Sequence, residues 1–316
     1  MGIIAERTMR GMPMKNFTLE QEVICGHLVT TDTKKLWSVQ LELLDLLKVI
    51  CRKHNIKYFA SAGTLLGAVR HKGYIPWDDD IDIVMFADDY EKFCEVAPQE
   101  IYGDYFFQHF KTEPGFSAGM ARIRKSSTTA CTKYEYNCKF PSSTYNFGIF
   151  IDIFPLNYIP TKFPMSFYQK VLYKIFAKII SGYRKECLMR KNNNSRYRFS
   201  KGYLLWKLVS NFVSYEQVAT TYYSICNMCK QSDLVGLFAF GGFNKKLMWK
   251  TEWWKETCEL QFENTTIVCP KKYDSILKTE YGDYMIYKKG TAVHTMQFFS
   301  ADIPYKDKLK NFKMER

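Results

Sequence analysis

The chain has 316 residues, 47% of them hydrophobic and 16% aromatic, enough for a sizeable core in one to three domains. Its net charge of +13 directs it toward anionic partners: a phosphorylated substrate, a membrane surface or nucleic acid. No nucleic-acid-binding motif accompanies the charge, so nucleic acid is set aside. Ten irregularly spaced cysteines fit reduced thiols in a cytoplasmic setting rather than a disulfide scaffold. Residues 1–11 carry charges and no apolar h-region, so no secretory signal is expected, and no run reaches the roughly 18 apolar residues of a spanning helix.

In chain order, 36–54 reads as a helix with Leu36, Val39, Leu43, Leu46, Leu47 and Ile50 on one face. Residues 56–61 read as a strand, 64–71 as a short helix and 80–86 as a second strand. Asp88 is placed to cap the next helix, with Glu91 completing a capping box. Strands are expected at 105–110, 118–124 and 147–154, the last an apolar run with Asp152 as its single acid. Residues 165–183 form an amphipathic basic helix, with Lys170, Lys174 and Lys178 recurring every four residues. Its lysine face is either solvated or a contact for a membrane surface. Residues 184–201, with seven Lys or Arg against Glu186, read as a loop. Cys226-Asn-Met-Cys229 lacks a second ligand pair nearby and reads as structural. A boundary near Pro160 would separate a catalytic core, 1–160, from an aromatic-rich, mainly helical region, 161–316.

The chemistry concentrates in residues 61–85: Ser-Ala-Gly-Thr-Leu-Leu-Gly-Ala-Val-Arg-His-Lys-Gly-Tyr-Ile-Pro-Trp-Asp-Asp-Asp-Ile-Asp-Ile-Val-Met. Acid alternates with isoleucine from Asp80 to Ile83, the period of a strand. Residues two apart face the same way, about 7 Å from each other. Asp78, Asp80 and Asp82 then share a face while Ile81 and Ile83 enter the core. Three carboxylates on one face repel unless a cation sits among them, and hard oxygen ligands suit Mg²⁺ or Mn²⁺. Gly63 and Thr64, after the first strand, let backbone N–H groups approach phosphate oxygens. A lone acid in an apolar strand is costly to bury unless paired or metal-bound, which marks Asp152 as a fourth site carboxylate. It would hold metal or accept a proton from an acceptor hydroxyl. Arg70, His71 and Lys72 are candidates to clamp a leaving nucleotide, and Arg122, Arg124 and Lys125 form a second basic group.

The stretch from Gly63 to Asp82 resembles the signature of the LicD family, which includes phosphocholine transferases and fukutin-type ribitol-phosphate transferases. Phe147-Gly-Ile-Phe-Ile-Asp-Ile-Phe-Pro-Leu156 resembles the family's segment bearing the third acid, here Asp152. The segments beginning at Val268 and Leu277 resemble its carboxy-terminal block, and His294 is a candidate by its position there. The resemblance implies an α+β (mixed α/β) nucleotidyltransferase-like fold: a central mixed sheet flanked by helices, with a helical carboxy-terminal portion. It implies Asp80, Asp82 and Asp152 as catalytic acids around the ion. It also implies a CDP-alcohol donor, CDP-choline above all, and release of CMP. The acceptor would be a hydroxyl of a cell-surface glycan precursor: teichoic acid, capsule or lipopolysaccharide. The cysteine usage and the basic helix, for their part, point to the cytoplasm or to the inner face of the membrane. Two alternatives stand beside the transferase reading: a nucleotidyltransferase that moves NMP from an NTP and releases pyrophosphate, and a non-catalytic glycan- or membrane-binding module. The second has no need of four gathered carboxylates.

Overall fold

The computed structural model describes residues 17–138, 145–192, 197–288 and 296–308. A hairpin comes first, β1 (Glu22–Ile24) and β2 (His27–Val29), turned by Cys25 and Gly26, both at positive φ. That geometry matches the twist of a two-residue hairpin. Helix α1 (Thr31–Lys53) is capped by Thr30, whose hydroxyl accepts from Thr33 N–H, and it buries Leu36, Leu43, Leu47 and Ile50. It starts one turn before the expected Leu36, because its first turn supplies the cap rather than the apolar stripe.

There follow β3 (Phe59–Ala60), α2 (Ala62–His71), β4 (Asp82–Phe86), α3 (Ala87–Glu100), β5 (Tyr105–Gln108), β6 (Ala121–Lys125), β7 (Thr129–Thr132), α4 (Lys133–Asn137) and β8 (Ile149–Tyr158). Asp88 does not cap α3. The helix begins at Ala87, and Asp88 and Asp89 lie in its first turn, where they complement the helix dipole. Next come α5 (Met165–Asn192), α6 (Lys201–Val209), α7 (Tyr215–Cys226), β9 (Leu234–Gly236) and β10 (Met248–Lys250). Strands β11 (Thr257–Phe262) and β12 (Thr265–Pro270), α8 (Tyr273–Tyr281) and β13 (Met296–Ser300) complete the order.

Helix α5 runs well past the expected end at Tyr183, into the stretch read as a loop. Cys187 and Leu188 continue its inward face, and Glu186 accepts hydrogen bonds from Trp206 and Lys207. Tertiary packing here overrides a polar, Asn-rich composition.

The central sheet runs β10-β9-β8-β4-β3, with β6 on β8 and β5 on β6. It is mixed: β4 and β8 are parallel, whereas β6 and β9 run antiparallel to β8. Strand β8 is its spine, buried along nearly its whole length, which is why it reads as an apolar run rather than an alternation. The main core includes Trp37, Phe59, Ile83, Ile153, Trp249 and Phe262. A second core joins α5, α6 and α7 through Tyr173, Ile179, Tyr183, Trp206 and Tyr222. The expected boundary near Pro160 does not divide these layers. Strands β9 and β10 extend the same sheet, and residues beyond 160 fill the main core, so the second half is part sheet as well as helical.

Candidate active site

The site is a cross-strand row. Parallel pairing sets Asp82 of β4 opposite Asp152 of β8, and antiparallel pairing sets Arg122 of β6 opposite Asp152 on the other side. Neighbouring strands lie about 4.8 Å apart, so the three side chains form one acid–acid–base line on one face. Asp80 stands two residues before Asp82, just ahead of the strand, and joins the line from its end; Asp152 N–H donates to the Ile81 carbonyl at 2.8 Å, tying this segment to β8. Carboxylate oxygens of Asp80, Asp82 and Asp152 all lie within 4.8 Å of one another, and those of Asp78, Asp79 and Asp80 form a second such group.

Folding strains these acids electrostatically. Burial, then repulsion from Asp82, Asp78, Asp79 and Asp152, holds the Asp80 carboxyl well above the usual range. Burial, then Asp152 and Asp78, does the same to Asp82. Asp79 is pushed up to about 6 by burial, although it accepts from Met296 N–H at 3.0 Å; its Oδ1 is buried with no partner among the described residues. Asp152 accepts a hydrogen bond from Arg122 Nε at 2.5 Å. Arg122 also pairs with Glu135 at 2.9 Å and lies over the Phe150 ring, 3.7 Å from its centroid. Burial opposes its charge, but Asp152 and Glu135 outweigh that and hold the guanidinium above its ordinary range.

Two cavities meet at Asp80 and Asp82. One, of about 460 Å³, is lined by Ser61, Gly63, Arg70, Trp77, Glu280 and Tyr281 among others. The other, of about 390 Å³, is lined by Arg122, Lys133, Tyr134, Asp152 and Arg184 among others. Ser61 precedes α2, it lines the first cavity together with the helix's first residues Ala62 and Gly63, and Ala62 sits in the left-handed region at φ 46. Such strain is characteristic of binding turns. The Ser61 hydroxyl is buried and has no partner among the described residues.

The expected residues divide. Asp78, Asp80, Asp82 and Asp152 converge. Gly63 lines the first cavity, but its missing side chain chiefly makes room for Asp78, whose Oδ2 a Cβ there would strike. The Thr64 hydroxyl is spent on structure, accepting from Asp82 N–H at 2.8 Å, whereas the nearby Ser61 hydroxyl is left without a partner among the described residues. Arg70 lines the first cavity, donates to the Tyr284 carbonyl at 2.7 Å and lies over Tyr287. His71 packs on Tyr287, and the exposed Lys72 caps α2 in the left-handed region; neither lines the two cavities. Arg124 is fully buried, a brace donating to Gln108, Gly148 and Glu135. Lys125 is paired with Glu42 of α1 at 2.8 Å, because one step along a strand reverses the face. His294 lies outside the described residues.

Reading the sequence alone missed Glu280. It lines the first cavity beside Asp80 and Asp82, keeps one carboxyl oxygen buried without a partner among the described residues, and is pushed up to about 8 by burial. Its only signal was membership of the segment beginning at Leu277.

A mixed sheet with carboxylates gathered on adjacent strands beside a helix N-terminus defines the class: a nucleotidyltransferase-like domain. Residues 55–179 match the family model described as LicD/FKTN/FKRP, nucleotidyltransferase domain. The chain is 29% identical over 286 residues to the lipopolysaccharide cholinephosphotransferase LicD of Haemophilus influenzae, covering 86% of this chain and 93% of that protein. An uncharacterized protein of Rickettsia typhi is 45% identical over 74 residues, 22% of this chain and 24% of its own length. One of Rickettsia prowazekii is 47% identical over 62 residues, 19% and 23% respectively.

Proposed function

We propose that this protein is a LicD-type phosphotransferase that moves phosphocholine from a CDP-alcohol donor to a hydroxyl of a lipopolysaccharide-type glycan, releasing CMP. The observation that carries the reading is the convergence of Asp80, Asp82 and Asp152 where two cavities meet, one place for a donor and one for an acceptor. Likeness to the Haemophilus influenzae enzyme over most of both chains supplies the class of group transferred.

The carboxylates fit a divalent cation. They are hard oxygen donors, and their crowding and burial carry a cost that an ion would offset. Asp80, Asp82 and Asp152 would hold Mg²⁺ or Mn²⁺, with Asp78 beside them. When bound, the ion supplies positive charge against the phosphate oxygens of donor and transition state.

The chain's own groups do the rest. Ser61 and the N-terminus of α2 hold a phosphate oxygen through O–H and N–H donors. Arg122 holds the Asp152 carboxylate beside Asp80 and Asp82, and we read Asp152 as a ligand of the ion rather than as the base. Glu280, with no ion pair to a basic residue among the described residues, is the group we assign to take the acceptor's hydroxyl proton, in its carboxylate form. The test offers Mg²⁺ with CDP-choline, other CDP-alcohols or NTPs, and glycan acceptors that include teichoic acid and capsule fragments. CMP release with CDP-choline is expected. Pyrophosphate from an NTP would make the protein a nucleotidyltransferase, and no turnover with any donor would overturn the enzyme reading.

A further inference from the structure

Among the described residues no helix is long and apolar enough to cross a membrane, yet α5 exposes apolar side chains where a surface helix is ordinarily polar. Its inward face, Tyr173, Ile179, Ile180 and Tyr183, is buried in the helical core. Its outward face carries Phe167, 56% exposed, with Tyr168, Val171 and Ile175 also open to solvent, and Phe163 just before the helix is 80% exposed. A second stripe beside the first carries Lys170, Lys174 and Lys178, one turn apart and all exposed. Helix α6 packs on α5 where Gly202 meets Gly182, and it adds exposed Leu204 and Leu208, followed by Phe212 at 81%. Scattered exposed apolar residues are ordinary; two adjacent helices edged with them are not.

The charge of this unit says what covers it. No Asp or Glu occurs from Phe163 to Lys185 or from Tyr197 to Tyr215. The intervening Glu186 is buried and engaged by Trp206 and Lys207. No carboxylate pairs with Lys170, Lys174 or Lys178 among the described residues. A second copy docking by the same face would set basic row against basic row. An anionic bilayer offers both missing partners at once: apolar depth for the aromatic and aliphatic stripe, and phosphate headgroups for the lysines.

We propose that the outward face of α5, with α6 beside it, seats the protein flat on an anionic lipid surface. The inference stands on this face alone and holds whatever the transferase acts on. Arg184 of α5 and Tyr215 of α7 line the second cavity, so the helical unit that touches the lipid also walls the site.

The test is flotation of the full chain with phosphatidylglycerol-containing vesicles and with pure phosphatidylcholine vesicles at low salt. Binding to the first, weaker by about tenfold or more for the second, is expected. The double variants Phe167→Ser/Ile175→Ser and Lys170→Glu/Lys174→Glu should each lower binding about tenfold with an unchanged melting temperature, because all four side chains are exposed. Absence of binding to anionic vesicles, or binding that neither variant weakens, would overturn the proposal. So would a dimer in solution that Phe167→Ser/Ile175→Ser returns to monomer without any vesicle binding, which would give the face to a second copy.

Discussion

Asp80 and Asp82 are worse off folded than unfolded, since burial and their neighbours both oppose their charge. Groups that cost stability and remain are held for another task. Asp80→Asn and Asp82→Asn are each expected to cut CMP release by at least about 10²-fold, the scale of lost electrostatic stabilisation. Their melting temperature in chelator should equal or exceed that of the parent, because a repelling charge is gone. A drop in both rate and melting temperature would mean the acids are structural. Asp152 and Glu280 separate by a different reading. Asp152→Asn should raise the half-saturating Mg²⁺, while Glu280→Gln should leave it unchanged and lower kcat by about 10²-fold or more. A kcat unaffected in Glu280→Gln would remove that residue from proton transfer.

His109 gives a stability prediction away from the site. It is buried among Tyr90, Phe107 and Phe110, and burial, helped by Lys111, lowers it from the ordinary 6.5 to about 3. Above pH 6.5 the imidazole is neutral in both states and costs nothing. Between about 6.5 and 3 the unfolded chain takes up a proton that the folded one refuses, so stability falls with pH, by at most about 1.4 kcal/mol per unit. Asp79, Asp80, Asp82 and Glu280, with raised values, act in the opposite direction. The measurement is therefore the difference in acid unfolding between parent and His109→Gln, which should lose this component of the slope. Identical slopes would show that His109 does not stay neutral.

At the scale of elements, what could be read in advance follows from what is local. Asp-Ile-Asp-Ile announces a strand, although the strand begins only at Asp82, and a single acid in the run around Asp152 announces a burial that needs a reason; in the fold Asp82 and Asp152 lie on adjacent strands with Asp80 just ahead. Strand period also separates Lys125 from Arg122 and Arg124, a distinction a list of basic residues conceals. The role of Arg124 was hidden because its partners, Gln108, Glu135 and Gly148, come from three other segments. Glu280 enters the site from the far end of the chain, so no spacing reveals it. The second half of α5 was illegible because Lys and Asn there carry no apolar period, and only the crossing with α6 makes it helical. That crossing is testable. A Cβ on Gly182 would strike the Gly202 carbonyl and come to 2.7 Å from Trp206, whereas one on Gly202 would come to 3.0 Å from the Lys178 carbonyl, a tight contact that a shift of a few tenths of an ångström relieves. Gly182→Ala should therefore cost about 1–3 kcal/mol and lower the melting temperature by several degrees. Gly202→Ala should cost less, and equal effects would show that the helices do not cross there.

Across the whole molecule, the charge is arranged as a basic body around an acidic point. A net charge of +13 draws an anionic donor toward the protein, but the place where the cavities meet is lined by Asp80 and Asp82, with Asp78 and Glu280 on one side and Asp79 and Asp152 on the other. A diphosphate would be repelled from that point by the groups meant to act on it. A divalent ion would reverse the local sign, and because the carboxylates are gathered only in the fold, its binding there would also stabilise the fold. Mg²⁺ at about a hundred times its dissociation constant contributes about 2.7 kcal/mol, which is read as a rise of several degrees in melting temperature. The parent should show that rise and Asp80→Asn/Asp82→Asn should not, while both melt alike in chelator apart from the relief of repulsion. CMP release should vanish in EDTA and return when Mg²⁺ or Mn²⁺ is restored in excess. Turnover that persists after verified metal removal would show that the cavities meet at a site that works without an ion. A thermal rise of equal size in the double variant would place the ion elsewhere on the protein.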